Sequence, residues 1–394
     1  MFKHLFTLIW NKKKKNALLI SEMLISFLVM FAVFTTLVYY YRNYRKPMGI
    51  DYERVWVIGF NNAIKTENTD SLNLFYETLL KNIQSIPQIL EASYTSDNIP
   101  FYQNMSTSGL TFNGKYIDRV NWYTVSSRYG ATLNIPMLEG HWYTKDDMLG
   151  RNQPVVINRN LKEKLVGSGS AIGKLIGSEE EINKRVIIGV AENVKVRGDY
   201  AVSGLAMYMN LDTAAHQWVD RILVKVTPDA DAAFEGHLYK TLAGYLKNSN
   251  IEIEHLTRKR ELINLFNLVP MIVLLIVACF LIINVALGLF GVLWYNINMR
   301  RGEIGLRRAV GATGKSVAGQ LVGESMIIAT LSMVIGVFFA AQFPLLNVFD
   351  LPAGVYIAGI VLSVLFIYGL VLICSLYPGR QAAGIYPAVA LHED

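Results

Sequence analysis

A chain of 394 residues that is 52% hydrophobic and only 17% charged, with a mean hydropathy of +0.30, is too apolar for an ordinary water-soluble domain and too polar to be all membrane. Its formal net charge of +6 comes from lysines and arginines clustered beside apolar runs, which reads as a topology signal and argues against a nucleic-acid partner. Both cysteines, Cys279 and Cys374, fall in apolar runs. The long polar region therefore carries no disulfide framework, and small buried apolar roles suit both better than nucleophilic or metal roles.

Residues 1–16, with Lys3 and Lys12 to Lys15, form a basic N-terminus, and 17–41 is an apolar run too long for a signal-peptide core. Tyr39, Tyr40, Tyr41 and Tyr44 supply an aromatic belt at its far end, so it reads as an uncleaved first span with the N-terminus inside. Glu22 lies in this span near its basic end, where a headgroup position competes with a functional role. Residues 42–265 follow as an extracytoplasmic domain. Strands are predicted at Arg54–Phe60 and Leu90–Thr95, with a helix over Asp70–Ser85 between them, capped at Asp70 or Ser71 and apolar along Leu72, Phe75, Leu79 and Ile83. A second strand-helix-strand unit is predicted at Arg221–Thr227, Asp231–Lys247 and Ile251–His255. Between the units, the insert 97–217 carries strand signals at Gly109–Phe112, Lys115–Thr124, Pro154–Asn158 and Arg185–Ala191.

Three further spans are predicted at 266–295, 317–343 and 354–377, with a short outer loop at 344–353 and a basic tail at 378–394. The expected fold is thus a multi-pass α-helical membrane protein with four transmembrane helices and a large two-lobed α+β domain inserted between helices 1 and 2. Asn284 in the second span is expected to hydrogen-bond to a neighbouring helix. In the third span Gly319 and Gly323, then Gly336 and Ala340, put small residues four apart, a helix-packing pattern, and Glu324 stands near its inner end.

The second and third spans are joined at 296–316 by a short charged connector. It holds Arg300, Arg301, Glu303, Ile304, Gly305, Leu306, Arg307, Arg308, Gly311, Ala312 and Lys315. So basic a loop belongs at the cytoplasmic face. On a helix Glu303 and Arg307 form an i,i+4 pair in the favourable order, and Ile304, Arg307, Arg308 and Gly311 share a face. That mixture of small, apolar and charged residues suits docking into another protein better than simple anchoring. Ala309 to Ser316 also match a relaxed phosphate-loop pattern, but that mechanism needs a buried strand before the loop. An ATP site here is therefore rejected. No catalytic constellation stands out: His4, His141, His216, His237, His255 and His392 are scattered, and the paired carboxylates Asp146-Asp147 and Glu179 to Glu181 read as solvated loops. No cofactor, metal or catalytic residue is expected.

Glu303 to Ala312, the upstream Asn284, Glu324, and the closing pattern of Tyr377 to Ala383 with Tyr386 to Leu391 resemble the permease of MacB-like transporters in the broader FtsX-like permease family. In the outer domain Leu133 to Gly140, Pro154 to Asn158, Ile172 to Lys174 and Ile187 to Val190 follow the family's rhythm, with His141 where an arginine is usual. The resemblance implies a non-catalytic permease subunit of an ABC transporter in the bacterial inner membrane, with both termini cytoplasmic. It implies a dimer with a second copy or a paralogue, docking by 300–312 onto a separate ATPase subunit, and mechanotransmission to the outer domain for export from the periplasm or envelope. Periplasmic adaptors or envelope proteins are further implied partners. Some relatives carry their own N-terminal ATPase domain; this sequence starts at the first span and is expected to borrow one. The competing reading is a membrane receptor with a ligand-binding outer domain. It needs a cytoplasmic output domain, which the 17-residue tail is too short to form.

Overall fold

The computed structural model describes residues 13–61, 68–103, 105–144, 146–178, 184–211 and 219–384. Lys3, Lys12, His4, His216, His392, Glu179 to Glu181 and the Tyr386 to Leu391 pattern lie outside the described residues. The chain divides into two compact units, one formed by Asn43–Asn267 and the other by the segments on either side of it.

In chain order the elements are α1 (Lys13–Tyr44), β1 (Val55–Phe60), α2 (Thr69–Gln84), β2 (Ile89–Asp97), β3 (Thr107–Phe112), β4 (Lys115–Val125) and the short α3 (Tyr129–Thr132). Then come β5 (Met137–Gly140), β6 (Gln153–Asn158), α4 (Arg159–Val166), β7 (Leu175–Ile176), β8 (Arg185–Ala191) and β9 (Leu205–Asn210). The second strand-helix-strand unit is β10 (Arg221–Val226), α5 (Ala232–Tyr245) and β11 (Ile251–His255). The chain continues through α6 (Leu256–Met299), α7 (Arg301–Ala309), α8 (Gly314–Leu345) and α9 (Ala353–Ala383).

The outer unit holds one mixed sheet in the order β11-β1-β10-β2-β4-β9-β6-β8-β5, with β3 added on β4 and β7 on β8. The two strand-helix-strand units interleave: β10 runs antiparallel between β1 and β2, with Val57 opposite Leu223, and β11 closes the other side of β1. This is a split β-α-β arrangement. Alternation along β1 explains it: Trp56, Ile58 and Phe60 meet Tyr76, Leu79 and Ile83 of α2 and Leu238 and Leu242 of α5, while Val55 and Val57 point into a second core with Tyr123, Tyr208 and Leu256. Both faces are buried, so the strand reads as an unbroken apolar run. Each such side chain contributes about 1.5–3 kcal/mol of burial. The insert builds its own core from Val155, Ile157, Leu161, Ile187 and Met207.

Some local expectations shift. The N-cap of α2 is Asn68, whose side chain accepts from the Ser71 amide at 3.0 Å, not Asp70 or Ser71 itself. Asp147 accepts from the Thr144 amide and hydroxyl at 2.7 Å each, reaching back to the residue three positions before it. Helix α4 and strands β5 and β9 are elements that the sequence patterns do not announce.

Four helices are long and apolar enough to cross a membrane: residues 17–44 of α1, and α6, α8 and α9. Within the membrane unit α1 seats side chains on glycines of each of the other three. A Cβ on Gly336 would lie 2.4 Å from the Phe27 ring, one on Gly359 2.2 Å from the Thr35 hydroxyl, and one on Gly288 2.7 Å from Glu22 Oε2. Small residues thus let the helices close up. Ala340 is buried in the same core, whereas Gly319 has open space around its Cβ direction and Gly323 is half-buried. Asn284 differs from its expectation. Its Nδ2 donates to the Phe280 carbonyl of its own helix at 2.7 Å, because that oxygen lies one turn back and within reach. The buried hydroxyls of Ser325, Ser332, Ser363 and Ser375 donate in the same way to carbonyls four residues earlier. Glu22 Oε2 is buried with no hydrogen-bond partner among the described residues.

Candidate functional site

The charged connector is folded. Helix α6 ends at Met299, Arg300 takes the N-cap position of α7 without a side-chain cap bond, and α7 stops where Gly311 takes φ +104°, a conformation open to glycine and strained for other residues. Thr313 then starts α8, its hydroxyl accepting from the Ser316 amide at 3.3 Å. The residues ahead of Gly314-Lys315-Ser316 are helix and turn, so the strand that a phosphate loop requires is replaced by α7.

Ile304 anchors α7 by packing among Ile297, Val317, Leu321 and Ala382. Gly305 beside it is also buried. Around this apolar anchor runs a chain of charged contacts. Arg300 donates to Glu303 at 3.0 Å and to both carboxylate oxygens of Glu324 at 3.1 and 3.2 Å. Glu303 meets Arg307 at 2.6 Å, the i,i+4 pair the sequence predicts, and Arg307 reaches Gln320 at 2.6 Å. Gln320 donates on to Glu324 at 3.1 Å. Arg308 turns to the other side and donates to the Ala383 carbonyl at the end of α9. Burial works against the Arg300 charge, but Glu303 and Glu324 outweigh it and hold its pKa above the ordinary arginine value.

The predicted shared face therefore splits. Ile304 faces inward, Arg307 lies along α8, Arg308 reaches α9, and Ala312 sits in the turn with its amide on the Arg307 carbonyl at 3.0 Å. Exposed on α7 are Gly302, Glu303, Leu306, Arg307 and Ala309, followed by Val310 at its C-cap, with Leu306 56% and Val310 82% exposed. Arg301 is half-buried on the same turn as Gly302. Val310 is a residue of this surface that the sequence does not single out. It follows Leu306 by four positions and so shares its stripe, but that this stripe faces outward is set by Ile304 anchoring the other side. Two exposed aliphatic side chains thus lie beside the Glu303–Arg307 ion pair.

Comparison with known proteins decides the family. Residues 23–236 match the MacB-like periplasmic core domain and residues 275–387 match the FtsX-like permease C-terminal domain. The chain belongs to the family of MacB-like, FtsX-type ABC transporter permeases. The permease is 22% identical over 317 residues to the macrolide export ATP-binding/permease protein MacB of Neisseria gonorrhoeae, covering 78% of this chain and 48% of that one. It is 25% identical over 339 residues to a probable export ATP-binding/permease protein MacB of Pseudomonas entomophila, at 79% and 48% coverage. The permease thus spans about half the length of the curated relatives it matches. The solved periplasmic region of MacB from Actinobacillus actinomycetemcomitans is similar at 16% identity with a TM-score of 0.38, covering 57% of this chain and 98% of that one.

Proposed function

We propose that the permease is the membrane subunit of an export machine whose ATP hydrolysis takes place on a separate ABC ATPase. In this reading α7 is the docking element. Its outward stripe of Leu306 and Val310 enters a groove on the ATPase, while Glu303 and Arg307 set register and partner choice. The observation that carries it is the way α7 is built: pinned from behind by Ile304 and by Arg300 to Glu324, yet apolar at its exposed face. A topological anchor needs neither feature. Force on α7 passes directly to α8 through Arg300–Glu324 and Arg307–Gln320, and to α9 through Arg308 and Ala383.

The basic residues at Lys12 to Lys15, Arg300 to Lys315 and Arg380 support a topology with both termini and α7 in the cytoplasm and residues 45–260 outside. A second copy or a paralogue completes the complex, in the bacterial inner membrane, and its product is a substrate expelled from the periplasm or envelope. Two measurements test this. Ser316→Cys should resist an impermeant thiol reagent in intact cells while Ser71→Cys reacts; the reverse pattern contradicts the topology. Purification through a tag on this chain should recover an ABC ATPase whose turnover changes on binding. Recovery of a kinase or other signalling protein in its place favours the receptor reading.

A further inference from the structure

The outer unit contains a buried polar cluster that no part of the sheet requires. Asp199 is 6% and Lys195 2% exposed, and both sit on the loop after β8. The Asp199 carboxylate takes a two-pronged contact from Arg260, Nε to Oδ1 at 3.0 Å and Nη2 to Oδ2 at 2.6 Å, and a further bond from Asn264 Nδ2 at 2.8 Å. Its own amide donates to Asn264 Oδ1 at 2.9 Å, and Asn267 Nδ2 donates to the Arg197 carbonyl at 2.7 Å. Three residues on the first turns of α6 are thereby held by one short loop. The same loop holds the end of α1. Lys195 Nζ donates to the Asn43 carbonyl at 2.8 Å and to the Asp199 carbonyl at 3.1 Å, and buried Asn43 returns a bond to the Tyr200 carbonyl at 3.0 Å. Tyr44 stacks on Tyr200 and the Arg260 guanidinium lies over the Tyr52 ring.

Gly198 makes the close approach feasible. It has φ +88°, and a Cβ there would sit 2.4 Å from Asn264 Oδ1. Burial presses the Lys195 ammonium toward neutrality, with Asp199 opposing and Lys46 and Arg260 adding to the pressure, so the site carries a cost that packing alone does not explain. Polar groups so thoroughly buried and cross-bonded fix geometry more than they add stability.

We infer that the 195–200 loop is a clamp that locks the last residues of α1 to the first turns of α6, with Asp199 as the positioning residue through which motion of the two helices reaches the outer sheet as one movement. The role in transmission rests on the permease reading; the clamp itself does not. In the sequence the two helix ends lie more than 200 residues apart and share no direct signal. The loop hydrogen-bonds to both.

The test uses the full chain in lipid nanodiscs. An amine-reactive reagent is applied to wild type, Asp199→Ala and Asp199→Asn, and labelling of Lys195 is read by mass spectrometry against Lys225, which pairs with Asp51 elsewhere in the unit. In Asp199→Ala, Lys195 should react about tenfold faster or more while Lys225 stays within about twofold, and Asp199→Asn, which keeps the bonds to Asn264, should restore most protection. An unchanged Lys195 rate, or an equal rise at both lysines, overturns the clamp. For transmission, spin labels at Lys46→Cys and Arg258→Cys, with Cys279 and Cys374 replaced by serine, report the distance between the helix ends in the complex purified with its ATPase. That distance should stay the same with and without trapped ATP in wild type and split in Asp199→Ala. A wild-type distance that changes with ATP overturns the rigid linkage. Failure to recover any ATPase removes the transmitting role together with the permease reading, and the labelling arm still decides the clamp.

Discussion

Asp199–Arg260 and Glu303–Arg307 are both carboxylate–guanidinium pairs at 2.6 Å, and they lie in opposite surroundings. In the first the side chains are 9% and 25% exposed, the carboxylate takes a further bond from Asn264, and the first turns of α6 are held to the 195–200 loop. In the second they are 43% and 48% exposed, on a nine-residue helix with aliphatic neighbours facing solvent. Burial is what separates them. Breaking a desolvated pair leaves an unpaired charge in a poor solvent, whereas breaking an exposed pair returns both groups to water.

The comparison predicts its own magnitudes. Arg260→Ala should cost about 3–5 kcal/mol of outer-unit stability, read by denaturant unfolding of the purified full chain, because Asp199 is then left buried and uncompensated. A loss below ~1 kcal/mol would place Asp199 in effective contact with water. Alkaline pH probes the outer unit next. Burial raises the phenol of Tyr76 to about 12, and it raises Tyr123, Tyr129 and Tyr208 as well. A raised folded pKa means stability that is complete below the unfolded value near 10 and is lost as pH climbs past it. Each pH unit in that window should remove about 1.4 kcal/mol per such tyrosine, giving cooperative alkaline unfolding with tyrosinate absorbance appearing in the same transition. Tyrosinate forming well before unfolding would show these rings to be solvated. Arg307→Ala has the smallest expected effect on the isolated permease, under about 1 kcal/mol, and 1 M salt should shrink it further.

What the sequence makes legible follows from how local each signal is. β1 and β10 are dense apolar runs bracketed by polar residues, and α2 carries its apolar stripe at Leu72, Leu79 and Ile83, so all three are readable from one stretch of chain. The four spans are readable for the same reason. β9 is not: Leu205 to Asn210 lacks alternation, since Ala206, Met207 and Tyr208 are all buried between β4 and β6, partners far away in sequence. Glu303–Arg307 is visible as a spacing of four. Asp199 gives no such sign, because Arg260 and Asn264 lie 61 and 65 residues downstream. Val310 was hidden for a different reason. Exposure of an aliphatic residue depends on where Ile304 anchors the helix, which only the fold reveals.

The central claim is that α7 docks the ATPase, and reversing its exposed pair tests it most directly. Glu303→Lys with Arg307→Glu keeps an i,i+4 pair of opposite charge and gives up the Arg300–Glu303 contact, while Arg300–Glu324 and the Ile304 anchor still hold α7, so the permease should fold and purify nearly as wild type does. The surface charge pattern is inverted, and a buried interfacial pair opposed on one side costs about 2–5 kcal/mol of association. The measurement is co-purification with the ATPase together with ATP turnover of the reconstituted complex. The account predicts loss of the ATPase from the purified complex and turnover equal to that of the ATPase alone. A doubly reversed permease that binds its ATPase and alters turnover as wild type does would contradict it, leaving the connector as a topological anchor.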